Sequence, residues 1–399
     1  MIPEHTIDAP EAIIDHCPRD EAAEKLLDLF FRIHYVVGMK VEDTLRTNEI
    51  LNRHQVAVLW TIRSEGIEGL SMRRKYIENT MTGWYDISSS AISKAIRAIA
   101  KSPLELITIE EHPKSAREKL ITLTPRGQKF VHAMVKNGTS MCRWFLDNMS
   151  KYEAERDICL YIYSKTNAIF NRMIDEERSD LGELHEDPQK SNQLLQHPLA
   201  ATFLERHYNY KDIPRVPREY SALMQLDIFF PIHYKAGNRV EAALRKGASL
   251  NRQQVIILWA IAAQGVDGEK MERKLIEQTL KDWLEITSSS VSKAIRSLTD
   301  PPLNILTITE NPASGREKIV CLTAEGKKVV QDMLNNGKDY LQDLIAELSE
   351  EEINMVISIF ARTHEIFKEY PGPFREVQPL EEATAVSYTH LTLPTILLV

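Results

Sequence analysis

Two short strings hold the residue types best suited to chemistry. Residues 88–97 read SSSAISKAIR, and residues 287–296 read TSSSVSKAIR, 199 positions further on. At helical spacing the first string places Ile92, Ala95, Ile96 and Ile99 on one face and Ser90, Ser93, Lys94 and Arg97 on the other. Small hydroxyl side chains let a helix backbone approach a surface closely and hydrogen-bond to it. Lysine and arginine pair with phosphates, or with the O6 and N7 acceptors of guanine in the major groove. The serine cluster suits a helix start, whose partial positive charge favours a phosphate. The candidate DNA-contacting residues are therefore Ser89, Ser90, Ser93, Lys94 and Arg97, with Ser288, Ser289, Ser292, Lys293 and Arg296 in the second string. The simpler alternative is an amphipathic helix with a solvated basic face. SKAIR persisting in both strings while much around it differs favours contact.

A second basic group follows each string. ITIEEHPKSAREKLITLT (107–124) alternates apolar and polar residues on both sides of a turn-rich centre, a β-hairpin signal. Its tip region carries Lys114, Arg117 and Lys119, and the later copy carries Arg316 and Lys318. Such arginines suit a narrow minor groove, where A·T tracts concentrate negative potential. Glu118 and Glu317 adjoin the arginines and are placed to pair with them instead.

Other chemistry finds no support. The chain has no glycine-rich phosphate loop, no nucleophile elbow and no His/Asp/Glu cluster at metal spacing, so an enzyme, a cofactor or a bound metal is not expected. Cys17, Cys142, Cys159 and Cys321 form no CxxC pair, which speaks against zinc and against a disulfide framework and suits a reducing compartment. An oxidant-sensing role would fall to Cys142 or Cys159. No apolar run approaches the roughly 20 residues needed to span a bilayer, and the acidic, proline-broken start differs from a secretory signal. A cytoplasmic, nucleoid-associated protein without a membrane partner is expected.

The net charge of −8 counts against a nucleic-acid partner, but its distribution does not. Residues 88–131 hold eight Lys/Arg against four Glu, and residues 287–330 hold six against four Asp/Glu. The acid concentrates elsewhere, as in DEERSDLGELHED at 175–187.

The elements that must position these groups occur twice. FFRIHY (30–35) returns as FFPIHY (229–234), LNRHQVAVLWTI (51–62) as LNRQQVIILWAI (250–261), and REKLITLTPRG (117–127) as REKIVCLTAEG (316–326), all at the same offset. About half the positions between 51 and 100 are identical to their partners. The first domain is expected over 22–175 and the second over 218–370. Between them a proline-bearing polar linker covers 176–217, with a short helix around 191–208. The last residues, VSYTHLTLPTILLV (386–399), continue no repeat pattern and read as an adapter-derived artefact tail.

Within each copy the order of elements is four helices, a hairpin and two helices. In the first copy residues 22–46 form a helix too apolar all round to lie alone on a surface. A second helix starts after Asn52 and stops near Gly66 and Gly69, and a third runs through 72–85. The fourth is the SSSAISKAIR helix, ended by Pro103, and two more follow the hairpin at about 125–147 and 151–173. Trp60/Trp259 and Trp84/Trp283 recur at matching positions, as core residues do.

The serine-led ISKAIR and VSKAIR helices, the hairpin with its arginine and the LTxxG that follows resemble the MarR family of prokaryotic transcription regulators, over about 25–173 and 220–370. The resemblance implies a mainly α fold with small β-sheets: two winged helix-turn-helix domains with flanking dimerisation helices. The apolar first helices, present twice, extend this to an intramolecular pseudo-dimer. It also implies a repressor-like role on double-stranded DNA. A small aromatic effector between dimerisation helices and DNA-binding lobe is a further implication, and it would involve His34, Tyr35, His233 and Tyr234, although satisfied interface residues are the simpler reading. The chain departs from the family in one place: the aspartate common two residues before the wing arginine is Ser115 or Ser314 here. That departure and the net charge define the rival reading, a degenerate winged-helix scaffold or anti-regulator without specific DNA binding.

Overall fold

The computed structural model describes residues 16–46, 50–85, 87–113, 115–150, 153–178, 216–284, 286–312 and 314–373. Lys114, the tail at 386–399 and all but the ends of the stretch expected as a linker lie outside the described residues. The first repeat opens with α1 (Arg19–Phe31), passes through a π-helical stretch (Arg32–Val37) and continues as α2 (Gly38–Leu45). It proceeds through α3 (Arg53–Glu65), β1 (Ser71–Arg73), α4 (Arg74–Tyr85), α5 (Ser89–Ala100), β2 (Ile107–His112), β3 (Ser115–Leu123), α6 (Pro125–Met149) and α7 (Glu153–Arg178). The second repeat opens with α8 (Arg218–Pro231), a π-helical stretch (Ile232–Ala236), α9 (Gly237–Leu244) and α10 (Arg252–Gln264). It continues through β4 (Lys270–Glu272), α11 (Arg273–Leu284), α12 (Ser288–Thr299), β5 (Leu306–Asn311) and β6 (Ser314–Leu322), followed by α13 (Ala324–Ala346) and α14 (Glu350–Lys368). The molecule is mostly helical, with one small antiparallel sheet in each of two winged-helix domains.

Local chemistry sets several boundaries. Asn52 caps α3 by accepting from the Gln55 amide at 3.1 Å, while the Gln55 side chain accepts from the Asn52 amide at 2.8 Å. Asn251 and Gln254 repeat this capping box at α10. Gly66 and Gly265 stop the two helices. One boundary differs from the expectation. Residues 72 and 73, expected to open the third helix, belong instead to the strand β1, with Met72 opposite Ile121 on β3. The sheet order is β1-β3-β2, so the three residues of β1 cover the edge of β3 that faces away from β2. A strand of three residues is too short for alternation to show in sequence.

The long first helices explain how the repeats associate. Ala22, Ala23, Leu26, Leu27, Leu29 and Phe31 are all buried on α1, covering more than one face. Their partners belong to the other repeat: α1 packs on α13 and α14, and α8 packs on α6 and α7. Beyond the π-helical stretches the packing reverts, α2 lying on α6 and α9 on α13 of their own repeats. Each repeat thus covers the other's C-terminal helices, and each fully buried leucine contributes about 1.5–3 kcal/mol.

The π-helical stretches mark the crossing. A Cβ on Gly38 would lie 1.9 Å from Nδ1 of His233, and one on Gly237 would lie 2.1 Å from Nδ1 of His34. Only glycine admits an imidazole that close. Pro231 ends α8 where the first repeat has Arg32, yet both repeats form the π-helical stretch, so proline is not its cause.

Candidate nucleic-acid interface

Helix α5 is built as its sequence predicts. Ser88 caps it, accepting from the Ala91 amide at 3.3 Å, and Ile92, Ala95, Ile96 and Ile99 anchor it in the core. Thr287 caps α12 in the same way, at 3.2 Å from the Ser290 amide, above Val291, Ala294, Ile295 and Leu298. The residues expected to touch DNA lie on the opposite face. Ser89, Ser90, Lys94 and Arg97 are exposed, as are Ser289, Lys293 and Arg296, while Ser288 is half-buried. Nε of Arg97 donates to the Ser93 carbonyl at 3.2 Å, which directs that guanidinium along the helix.

Ser93 and Ser292 do not stand free on this face. Ser93 Oγ accepts from Nη2 of Arg74 at 2.8 Å, and Ser292 Oγ accepts from Nη2 of Arg273 at 2.7 Å. Each arginine is the first residue of the preceding helix and also holds a glutamate one turn on: Arg74 with Glu78 at 2.9 Å, Arg273 with Glu277 at 3.1 Å. Sequence reasoning missed these arginines. The signal was present, since RRK at 73–75 returns as ERK at 272–274, but a partner 19 residues away has no local signature.

The wing is more nearly neutral than its sequence suggests. Lys119 pairs with Glu111 and Lys318 with Glu310, both at 3.2 Å. Arg117 is exposed on β3 past the turn. Its neighbour Glu118 pairs with Arg73 at 2.8 Å, so that carboxylate is committed to β1. In the second repeat Arg73 is replaced by Glu272, and the Asn311 amide bridges Glu272 and Glu317 at 3.3 and 3.4 Å. Arg316 lies on β6. The base of the second wing is therefore the more acidic, which sequence symmetry alone conceals.

The His-Tyr pairs lie at the contact between repeats. His34 donates through Nε2 to Glu241 of the other repeat at 3.2 Å, and Tyr35 OH donates to the same carboxylate. Arg252, near the start of α10, completes the group at 2.6 Å from Glu241. The mirrored set is His233 and Glu42 at 2.9 Å, with Arg53 at 2.8 Å from Glu42. Burial would raise Glu42, but Arg53 and His233 overcome it and hold the carboxyl down at about 2. Burial likewise holds His34 down at about 4. With Nε2 donating, each Nδ1 is a bare acceptor facing glycine, without a hydrogen-bond partner among the described residues.

Aromatic stacking reinforces the same contact. Phe31 stacks on Trp259 at 3.7 Å, Trp60 on Phe230 at 4.6 Å and Tyr35 on Trp283 at 4.8 Å. Trp60 and Trp259 are buried, as their recurrence predicts, whereas Trp283 is only half-buried. The side chain of Trp84 lies outside the described residues. The cavity beside His34 and His233 is apolar, lined by Phe30, Ile33, Phe229 and Phe360 among others, and holds only about 30 Å³. That is room for about two water molecules, not for an aromatic ring. Cys142 and Cys159 are fully buried, and burial pushes both thiols up, away from the thiolate that an oxidant attacks.

Residues 51–127 and 250–326 each match the family model of the winged helix DNA-binding domain. Each match begins just before the capped helix, α3 or α10, and ends just past the wing, so it contains the whole candidate interface. The fold and the matches together define a tandem pair of winged helix-turn-helix domains. No curated protein matches the chain. Among the described residues no helix is long and apolar enough to cross a membrane.

Proposed function

We propose that this chain is a sequence-specific, double-stranded DNA-binding transcription regulator of the MarR type, a repressor working as a single-chain pseudo-dimer. The observation that carries this reading is the duplicated α5 and α12 face. In both repeats a helix anchored by four apolar residues presents an exposed lysine and arginine, Lys94 and Arg97 or Lys293 and Arg296. The contact between repeats supplies what a separate dimer would otherwise need. Its exchanged first helices join two recognition helices on one chain, as two major-groove half-sites roughly 34 Å apart require. Linkage makes assembly independent of protein concentration. The two faces differ, Ala91 standing where the second repeat has Ser290, so the operator need not be a perfect palindrome.

A small-molecule effector would release DNA by favouring a different spacing of the lobes. His34 and His233 line the cavity that such an effector would have to open, and Tyr35 and Tyr234 adjoin them in sequence. The neutralised wings favour the second reading, a scaffold that no longer binds DNA specifically. Selection from a random-sequence duplex pool separates the two. The regulator enriches a split motif with half-sites about one helical turn apart, and Arg97→Ala/Arg296→Ala abolishes that enrichment. A scaffold enriches nothing and binds weakly and salt-sensitively, if at all.

A further inference from the structure

On that reading of the interface, we propose that Arg74 and Arg273 are phosphate-contacting residues, and that Ser93 and Ser292 serve to aim them rather than to read bases. The serines occupy the middle of the face expected to meet DNA, one turn from Ser89 on one side and from Arg97 on the other. In both repeats the serine hydroxyl is taken by a guanidinium arriving from the neighbouring helix. The group at the centre of that face is therefore a guanidinium backed by a carboxylate, Glu78 or Glu277.

Three further observations fit this assignment. Arg74 and Arg273 side chains are each 36% exposed, so neither is a core ion pair. Glutamate takes Nε and serine takes Nη2, leaving Nη1 of each arginine with no partner among the described residues. Two fixed nitrogens hold the planar fork in one orientation, so little side-chain freedom remains to be given up on meeting a phosphate. The same geometry in both repeats, at the start of α4 and of α11, presents two such forks. Glu78 and Glu277 orient the arginines but also place a carboxylate near the phosphates. Removing a glutamate should therefore strengthen binding, whereas an arginine that merely braced the two helices would be loosened by it.

The test is the salt dependence of binding to a labelled mixed-sequence duplex, using the full chain. Arg74→Gln/Arg273→Gln should make the slope of log affinity against log salt shallower by about 2, since each phosphate no longer neutralised reduces it by about 0.9. Glu78→Gln/Glu277→Gln should bind more tightly than the wild type at every salt concentration. An unchanged slope in the arginine variant, with an unchanged thermal midpoint, overturns the assignment while leaving the regulator reading intact. Weaker binding by the glutamate variant overturns it as well, in favour of a bracing role. A wild-type chain with no salt-dependent affinity for the duplex overturns both this inference and the proposed function.

Discussion

His34 and His233 meet across the contact between the repeats, their ring centroids 4.6 Å apart. Each imidazole donates to a glutamate of the opposite repeat and lies with its other nitrogen against that repeat's glycine. The charged and titratable groups around the pair are Glu42 on α2, Glu241 on α9, Arg53 on α3, Arg252 on α10 and the neighbouring Tyr35 and Tyr234. Both carboxylates are already neutralised by an arginine. A second proton on either ring would lie beside another imidazole and aim at a Cα.

Stability should therefore fall in acid. Burial lowers both histidines, His34 from 6.5 to about 4, so the unfolded chain takes up protons that the folded chain refuses. The stabilisation is complete above about pH 6.5 and is lost as the pH falls toward 4. Protonation of Glu42, held at about 2, adds a further loss below about pH 4.5. His34 alone accounts for about 3 kcal/mol. Urea unfolding followed from neutral pH to about pH 4 should show a falling midpoint; a flat one contradicts neutral, buried histidines.

Replacing Gly38 by alanine drives a methyl into His233 and should cost about 1–3 kcal/mol, by overpacking. Removing the ring relieves the clash, so Gly38→Ala/His233→Ala should cost less than the two single changes added together. Urea midpoints of the four chains close the cycle. Additive losses would mean that the glycine and the imidazole do not meet.

How much of this was legible in the sequence follows the distance over which each interaction acts. The capping box at Asn52 and Gln55, the four apolar anchors of α5 and the wing hairpin are local, and their spacing identifies them. The apolarity of α1 on more than one face announces a neighbour without naming it. The neighbours α13 and α14 lie some three hundred residues on, and nothing at Leu26 or Leu27 encodes that separation. Ser93 illustrates the limit at the site. Its type and position suit a base contact, and only folding shows its hydroxyl occupied by Arg74. Glu118 is a second case, paired with Arg73 rather than with the adjacent Arg117.

On the proposed function, helices α5 and α12 should each contribute to the salt dependence of binding. Lys94→Ala or Lys293→Ala should make the salt slope shallower by about 1 and weaken binding on all sequences alike. Filter binding over a salt series measures this. A change of preferred sequence with an unaltered slope would mean that the lysine reads a base instead.

The wings should be released by removing their internal partners. Glu111→Gln and Glu310→Gln free Lys119 and Lys318, which now sit 3.2 Å from those carboxylates. Affinity for a mixed-sequence duplex should rise in both variants. These exposed pairs contribute at most about 1 kcal/mol to folding, so the melting temperature should hardly move. Unchanged affinity would place the wing strands away from DNA.

In the proposed pseudo-dimer one chain fills both halves of an operator. Sedimentation of the complex with the duplex enriched by selection gives the number of chains bound. One chain per duplex is expected at all protein concentrations that saturate it, with no cooperative second step. Two chains per duplex, assembling cooperatively, would mean that the repeats pair between molecules and would contradict the single-chain pseudo-dimer.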